Sequence, residues 1–299
     1  MSVETLISEF FRDCKARGYA GRTIESYISH IRYFLSLYDV DTGYDDLKEF
    51  LIHIRDERGY TLATCNNYFA SLSTFYDFLE FEKIVERNLV PAFRKRYLRS
   101  YKKNYTPETR QLVGIEDMAN LINAPEYLVY RALIIFLAKT GIRRNELITL
   151  DRVDLNLDAL TVRLKPTAKR SNRTVFFDLE TKVFLEAYLA ERTDSQRALF
   201  VGRQDFHRIT RNQVYDVVSG YAEKIGLHDP EGHLDEKFGP HCCRHWFTTW
   251  LRRAGMSRTF IQELRGDSRR EAIDVYDHIA FDELKASYMR CIPQLGVKP

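Results

Sequence analysis

The sequence has no long hydrophobic run. Its longest strongly apolar stretch, Leu133 to Ala138, falls far short of the roughly 20 residues that a membrane span requires. It has no secretory signal, because Glu4, Glu9 and Asp13 interrupt any apolar start. Cysteine is scarce and odd in number: five, at positions 14, 65, 242, 243 and 291, with no Cys-x-x-Cys pair. That excludes a disulfide framework and fits a reducing cytoplasm, with the cysteines as small buried hydrophobes. There is little charge of one sign in excess: 45 Lys and Arg against 42 Asp and Glu leave +3. Such a balance neither demands nor excludes nucleic acid, so the placement of charge matters more than its sum. Internal repeats and low-complexity stretches are absent.

What is present is material for a core. The 299 residues are 44% hydrophobic, with 19 Phe and 18 Tyr, enough for two domains and too apolar for wholesale disorder. The first 90 residues read as four amphipathic helices. Leu6, Ile7, Phe10 and Cys14 share one face; so do Ile24, Ile28, Ile31 and Leu35, then Leu47, Phe50, Leu51 and Ile54, then Leu62, Cys65, Phe69, Leu72, Tyr76 and Leu79. Short polar or glycine-containing breaks separate them, which predicts a compact bundle.

Residues 94–103 follow, with six basic residues (Arg94, Lys95, Arg96, Arg99, Lys102, Lys103), two interleaved tyrosines and no acid. Thr106-Pro107 then breaks any helix. This stretch is expected to be a linker, 92–111, that touches phosphates. From 112 to 299 the pattern is mixed. Helices are expected near 115–124, 126–139, 181–191, 210–225, 241–254, 258–264, 271–276 and 282–290. Leu160–Leu164 and Thr174–Phe177 read as strands around a basic hairpin tip.

Two segments carry chemistry. One is Thr140-Gly141-Ile142-Arg143-Arg144-Asn145-Glu146-Leu147. The other is Pro240-His241-Cys242-Cys243-Arg244-His245, followed 32 residues after Arg244 by Tyr276-Asp277-His278. A phosphodiester resists attack because its oxygens are anionic, and planar guanidinium forks neutralise that charge with paired hydrogen bonds. Arg143 and Arg244 can therefore hold a phosphate, and Tyr276 can attack it. His241 suits proton transfer near neutral pH. A zinc reading of His228, His233, His241, Cys242, Cys243 and His245 is disfavoured, since adjacent cysteines on a helix point about 100° apart.

In these segments the chain resembles the tyrosine recombinases of the phage-integrase and Xer type, including those of archaeal or viral mobile elements. The family's Thr-Gly-aliphatic-Arg-x-x-Glu-Leu matches residues 140–147, its His-x-x-Arg-His matches 241–245, and its Tyr-x-His matches 276–278. The N-terminal part, with Thr23 to Tyr27 and Asn66 to Leu79, resembles the family's core-binding domain. The resemblance implies a mostly α protein: a SAM-like four-helix DNA-binding bundle at 1–91, then an α+β catalytic domain at 112–299 with a small antiparallel sheet. It implies a site-specific recombinase and integrase that cuts and rejoins DNA without metal, ATP or cofactor. The two domains would clamp duplex DNA, with four subunits on two sites.

Carried over residue by residue, Tyr276 would form a 3′-phosphotyrosyl link and release a 5′-hydroxyl. Arg143 and Arg244 would hold the phosphate, with His241 beside them. Lys169 would protonate the leaving oxygen, with Lys165 as the other candidate. Arg170 and Arg173 would touch DNA, and Glu146 would orient an arginine or helix. The chain departs from the family at Asp267, which stands where a histidine or tryptophan is usual; it could hydrogen-bond His241 or Tyr276, or pair with Arg265. That departure keeps a DNA-binding protein without catalysis open as an alternative, beside type IB topoisomerase-like cleavage. The absence of an obvious arm-binding domain favours a simple Xer-like enzyme. Leu284, Tyr288 and Ile292 share one face of the last helix and are expected to dock on a neighbouring subunit, with packing on their own domain as the alternative.

Overall fold

The computed structural model describes residues 2–98, 111–166, 172–267 and 279–299. The chain divides into two units, 1–106 and 107–299.

In the first unit, helix α1 (Val3–Ala16) starts where the Ser2 hydroxyl accepts the Thr5 amide. Helices α2 (Gly21–Leu35), α3 (Tyr44–Ile52, running into a π-turn at His53–Glu57) and α4 (Leu62–Phe81) follow. Their apolar stripes meet in one core around Phe10, Ile31, Phe34, Phe50, Phe69, Phe75 and Leu79. The four expected helices are all present. A fifth, α5 (Val90–Tyr97), occupies the start of the expected linker. Pro91 fits its first turn, and the Phe93 ring stacks on Phe69 at 5.1 Å and 10°. Its basic residues are on the last turn, with Lys95 and Arg96 exposed and Arg94 half-buried. Arg99, Lys102 and Lys103 lie outside the described residues.

The second unit packs helices around α7 (Leu128–Thr140), whose residues 132–140 are all buried. A helix apolar on every side belongs at the centre. Around it stand α6 (Ile115–Asn123), α9 (Leu179–Glu191), α10 (Arg211–Lys224) and α11 (Pro240–Arg253). The described residues contain one three-stranded antiparallel sheet: β1 (Leu155–Asn156), β2 (Thr161–Arg163) and β3 (Thr174–Phe176), in that order. Val162 pairs with Val175, and both face the core. Short helices α8 (Arg144–Thr149) and α12 (Arg258–Arg265) complete the unit.

The last helix, α13 (Phe281–Cys291), is placed differently from expectation. Leu284, Tyr288, Cys291 and Ile292 are buried against Phe176, Phe247, Leu251 and Leu264 of the same chain. The Tyr288 hydroxyl donates to the Lys139 carbonyl at 2.8 Å. The apolar face expected to dock on a neighbour is spent within its own unit. Lys139 is fully buried, and its Nζ contacts Asp178, Glu180 and the Pro293 carbonyl at 2.5, 2.6 and 2.6 Å. A buried ammonium requires such a cage of acceptors.

Candidate active site

The site begins where α7 stops. Gly141 takes a left-handed conformation, φ 60°, and its amide returns to Leu137. Two residues later Arg143 caps α8 in extended conformation. Its amide donates to Glu146 Oε2 at 2.7 Å, so the Glu of the motif ties the segment that presents the arginine. Glu146 Oε1 lies 3.4 Å from Arg143 Nη1 and 2.7 Å from Arg173 Nη1. Burial works to raise the pKa of Glu146, but Arg173 and then Arg143 outweigh it, and the net direction is down.

Helix α11 supplies the second arginine. Gly239-Pro240 opens it, and its Arg244 is only 3% exposed. Arg244 Nη1 donates to the Gly141 carbonyl at 2.7 Å, while the Phe247 ring lies against Gly141 so closely that a Cβ there would collide with it. One glycine thus turns the chain, accepts from Arg244 and lets α11 approach.

The turn after α12 closes the site. Gly266 is left-handed, φ 61°. The Arg265 carbonyl accepts from Arg143 Nη1 at 3.0 Å and from Arg244 Nη2 at 2.8 Å. Asp267 Oδ1 accepts from Arg143 Nη2 and from Arg244 Nη2, both at 3.1 Å. Arg265 Nε sits 2.8 Å from Asp267 Oδ2, close as an ion pair but without hydrogen-bond alignment. One carboxylate therefore faces three guanidinium groups. Burial, then the charges of Arg143 and Arg265, push the Arg244 pKa down to about 9 despite Asp267 and Glu146. Arg244 stays charged at neutral pH, in a site with more positive than negative charge.

Beside the two arginines opens a pocket of about 510 Å³ whose lining, among the described residues, includes Arg143, Arg144, Arg211, Lys237, His241 and Arg244 with Tyr215, and no acid. Exposed His241 stands in the first turn of α11. The Arg144 guanidinium lies over the Tyr215 ring, 5.7 Å from its centre. Neither Arg144, Arg211 nor Lys237 stands out in the sequence. Arg211 and Lys237 are 26 residues apart, and only the fold brings them to one wall.

The structure brings Arg143, His241 and Arg244 to one pocket, and Asp267 meets both arginines. Of the Asp267 alternatives, the pairing with Arg265 is present and Arg143 and Arg244 add to it, while Tyr276 lies outside the described residues. Arg173, expected to touch DNA, is only 7% exposed, and its guanidinium bonds Glu146 and the Leu264 carbonyl. Lys165 is held by Asp151 at 2.5 Å and Asp154 at 3.2 Å. Lys169, Arg170, Tyr276 and His278 lie outside the described residues. His245 is exposed, whereas Cys242 and Cys243 are both buried. Burial pushes the Cys243 thiol well up. Among the described residues no helix is long and apolar enough to cross a membrane.

Comparison with known proteins agrees across the chain. Residues 111–283 match the Phage integrase family, and residues 6–86 match the Phage integrase N-terminal SAM-like domain. The chain is 30% identical to tyrosine recombinase XerC of Bacillus licheniformis, covering 93% of this chain and 92% of that protein. It is 26% identical to tyrosine recombinase XerA of Pyrococcus furiosus, covering 95% and 93%. Two solved structures share its fold. The Tn1549 transposon integrase in complex with circular intermediate DNA aligns with TM-score 0.71 at 19% identity, over 94% of this chain and 98% of that one. A lambda integrase dimer bound to a COC′ core site aligns with TM-score 0.70 at 15% identity, over 94% and 100%.

Proposed function

The chain belongs to the phage integrase family, and from that premise we propose how its own residues carry out the reaction. It is a site-specific tyrosine recombinase, an enzyme that cuts and rejoins DNA strands. In our reading Arg143 and Arg244 bind the two non-bridging oxygens of the scissile phosphate and stabilise the charge that grows in the pentavalent state. The Tyr276 phenol oxygen attacks phosphorus. The P–O5′ bond breaks, leaving a 3′-phosphotyrosyl link and a 5′-oxygen. His241 takes the phenol proton and Lys169 gives one to the 5′-oxygen.

The observation that carries this reading is the convergence of Arg143 and Arg244 on one oxygen, beside a basic pocket that holds His241. Arg144, Arg211 and Lys237 would hold phosphates flanking the cut. In the first unit, Lys48, Lys95 and Arg96 line a further pocket with Tyr44 and Tyr97, which suits backbone contact by a core-binding domain of residues 1–91 extended by α5. Exchange between two duplexes cuts four strands, and one phenol for each makes a tetramer the working unit. The five cysteines, all buried and none in a disulfide, fit action in the cytoplasm.

The test presents random-sequence duplexes, nicked to trap cleavage, to the whole protein and recovers denaturant-stable adducts. The wild type is expected to give a covalent protein–DNA species, and Tyr276→Phe to bind DNA but give none. DNA binding by the wild type without an adduct would leave a binding protein instead.

A further inference from the structure

Most of the terminal donors of the two site arginines are already in use. A guanidinium has five N–H donors, four of them on its two terminal nitrogens. On Arg143 those four are directed at Glu146 Oε1, the Arg265 carbonyl, the Gly266 carbonyl and Asp267 Oδ1. On Arg244 both hydrogens of Nη2 go to the Arg265 carbonyl and Asp267 Oδ1. A phosphodiester that takes both forks must displace one of these acceptors. Carbonyls of a turn fixed by Gly266 are hard to move, since the Gly266 and Asp267 amides are themselves bonded back to Glu263 and Gln262. The Asp267 side chain, 29% exposed, can rotate out without opening the core.

We propose that Asp267 is an internal occupant of the phosphate site, its Oδ1 standing between Arg143 and Arg244 where a phosphate oxygen goes, and that DNA binding exchanges one anionic oxygen for the other. The inference rests on the recombinase reading of the same pocket. Its physical basis is charge. Arg143, Arg244 and Arg265 repel one another in the absence of DNA, and a carboxylate among them keeps the arginines converged and the empty site tolerable. The same carboxylate then competes with incoming phosphate, so it sets how readily the site accepts an anion. Asp267 is thus a positioning residue that yields its place.

The experiment uses the whole protein and inorganic phosphate at constant ionic strength, with chloride making up the balance. Thermal unfolding is followed as phosphate replaces chloride. Asp267→Asn is expected to unfold at lower temperature than the wild type in chloride and to be stabilised by phosphate with a half-saturating concentration at least roughly tenfold lower, a difference of about 1.4 kcal/mol. Adding Arg244→Ala to the variant should abolish that response. Asp267→Ser, smaller and uncharged, should behave as the Asn variant does and serves if the latter does not fold. A lower unfolding temperature with an unchanged phosphate midpoint would reduce Asp267 to a purely structural role and overturn the proposal. Adducts with DNA report on the recombinase reading separately: their absence from the wild type sinks that reading, whereas equal phosphate midpoints sink only this one.

Discussion

Glu146 and Asp267 are two carboxylates set among arginines, and their surroundings give them different work. Glu146 is 3% exposed and lies between Arg143 and Arg173; Asp267 is reached by solvent. Removing one charge from a buried pair leaves the other uncompensated, so Glu146→Gln is expected to cost about 3 kcal/mol at neutral pH. Because the folded pKa of Glu146 is lowered, its contribution is complete above 4.5, the ordinary carboxyl value, and is lost as pH falls through the lower folded value. Urea unfolding of wild type and variant should therefore differ at pH 7 and converge in strong acid. A difference that persists unchanged in acid would contradict this account. Arg173 illustrates how little a residue's type decides: beside a basic hairpin it reads as a DNA contact, yet its guanidinium is buried on Glu146.

At the scale of elements, the site depends on α7, α11 and the turn after α12 meeting at Gly141. Any side chain there must adopt a left-handed backbone and also displace the Phe247 ring. Gly141→Ala is expected to destabilise the protein by about 3 kcal/mol or more, read from the urea midpoint, and to weaken DNA cleavage with it. Wild-type stability in that variant would show that α11 does not need the close approach. The long helices were legible because their apolar residues recur at three and four positions, and α1, α2, α4, α6, α7, α9, α10, α11 and α13 lie close to where that period places them. Helix α8 escaped detection because six residues, started by Arg143, are too few for a period. Strand β1 has two residues. Helix α5 escaped because its basic last turn resembles a solvated linker, and only the packing of Phe93 on Phe69 distinguishes it.

At the scale of the whole molecule, a net charge of +3 understates the affinity for DNA, because positive groups gather in one basic pocket and on α5. Each phosphate neutralised releases counterions, so the slope of log affinity against log salt counts such contacts. Arg211→Ala is expected to weaken binding to all duplexes alike and to make that slope shallower by about 1, measured by fluorescence anisotropy across a salt series. An unchanged slope would remove Arg211 from the DNA-facing wall.

The order of residue types, the helix faces and the division into a helical first part and a mixed second part are properties of the sequence itself. They arise from interactions within four or five positions along the chain, such as caps and apolar periods, which a linear pattern records. The partners of the guanidinium groups were decided only by tertiary structure. Arg143 meets Asp267 across 124 positions and Arg173 meets Glu146 across 27. No local rule links such positions. The packing of α11 on α7 and the turn at Gly266 set which charges share a space, and hence which arginines face the pocket and which carboxylate stands between them.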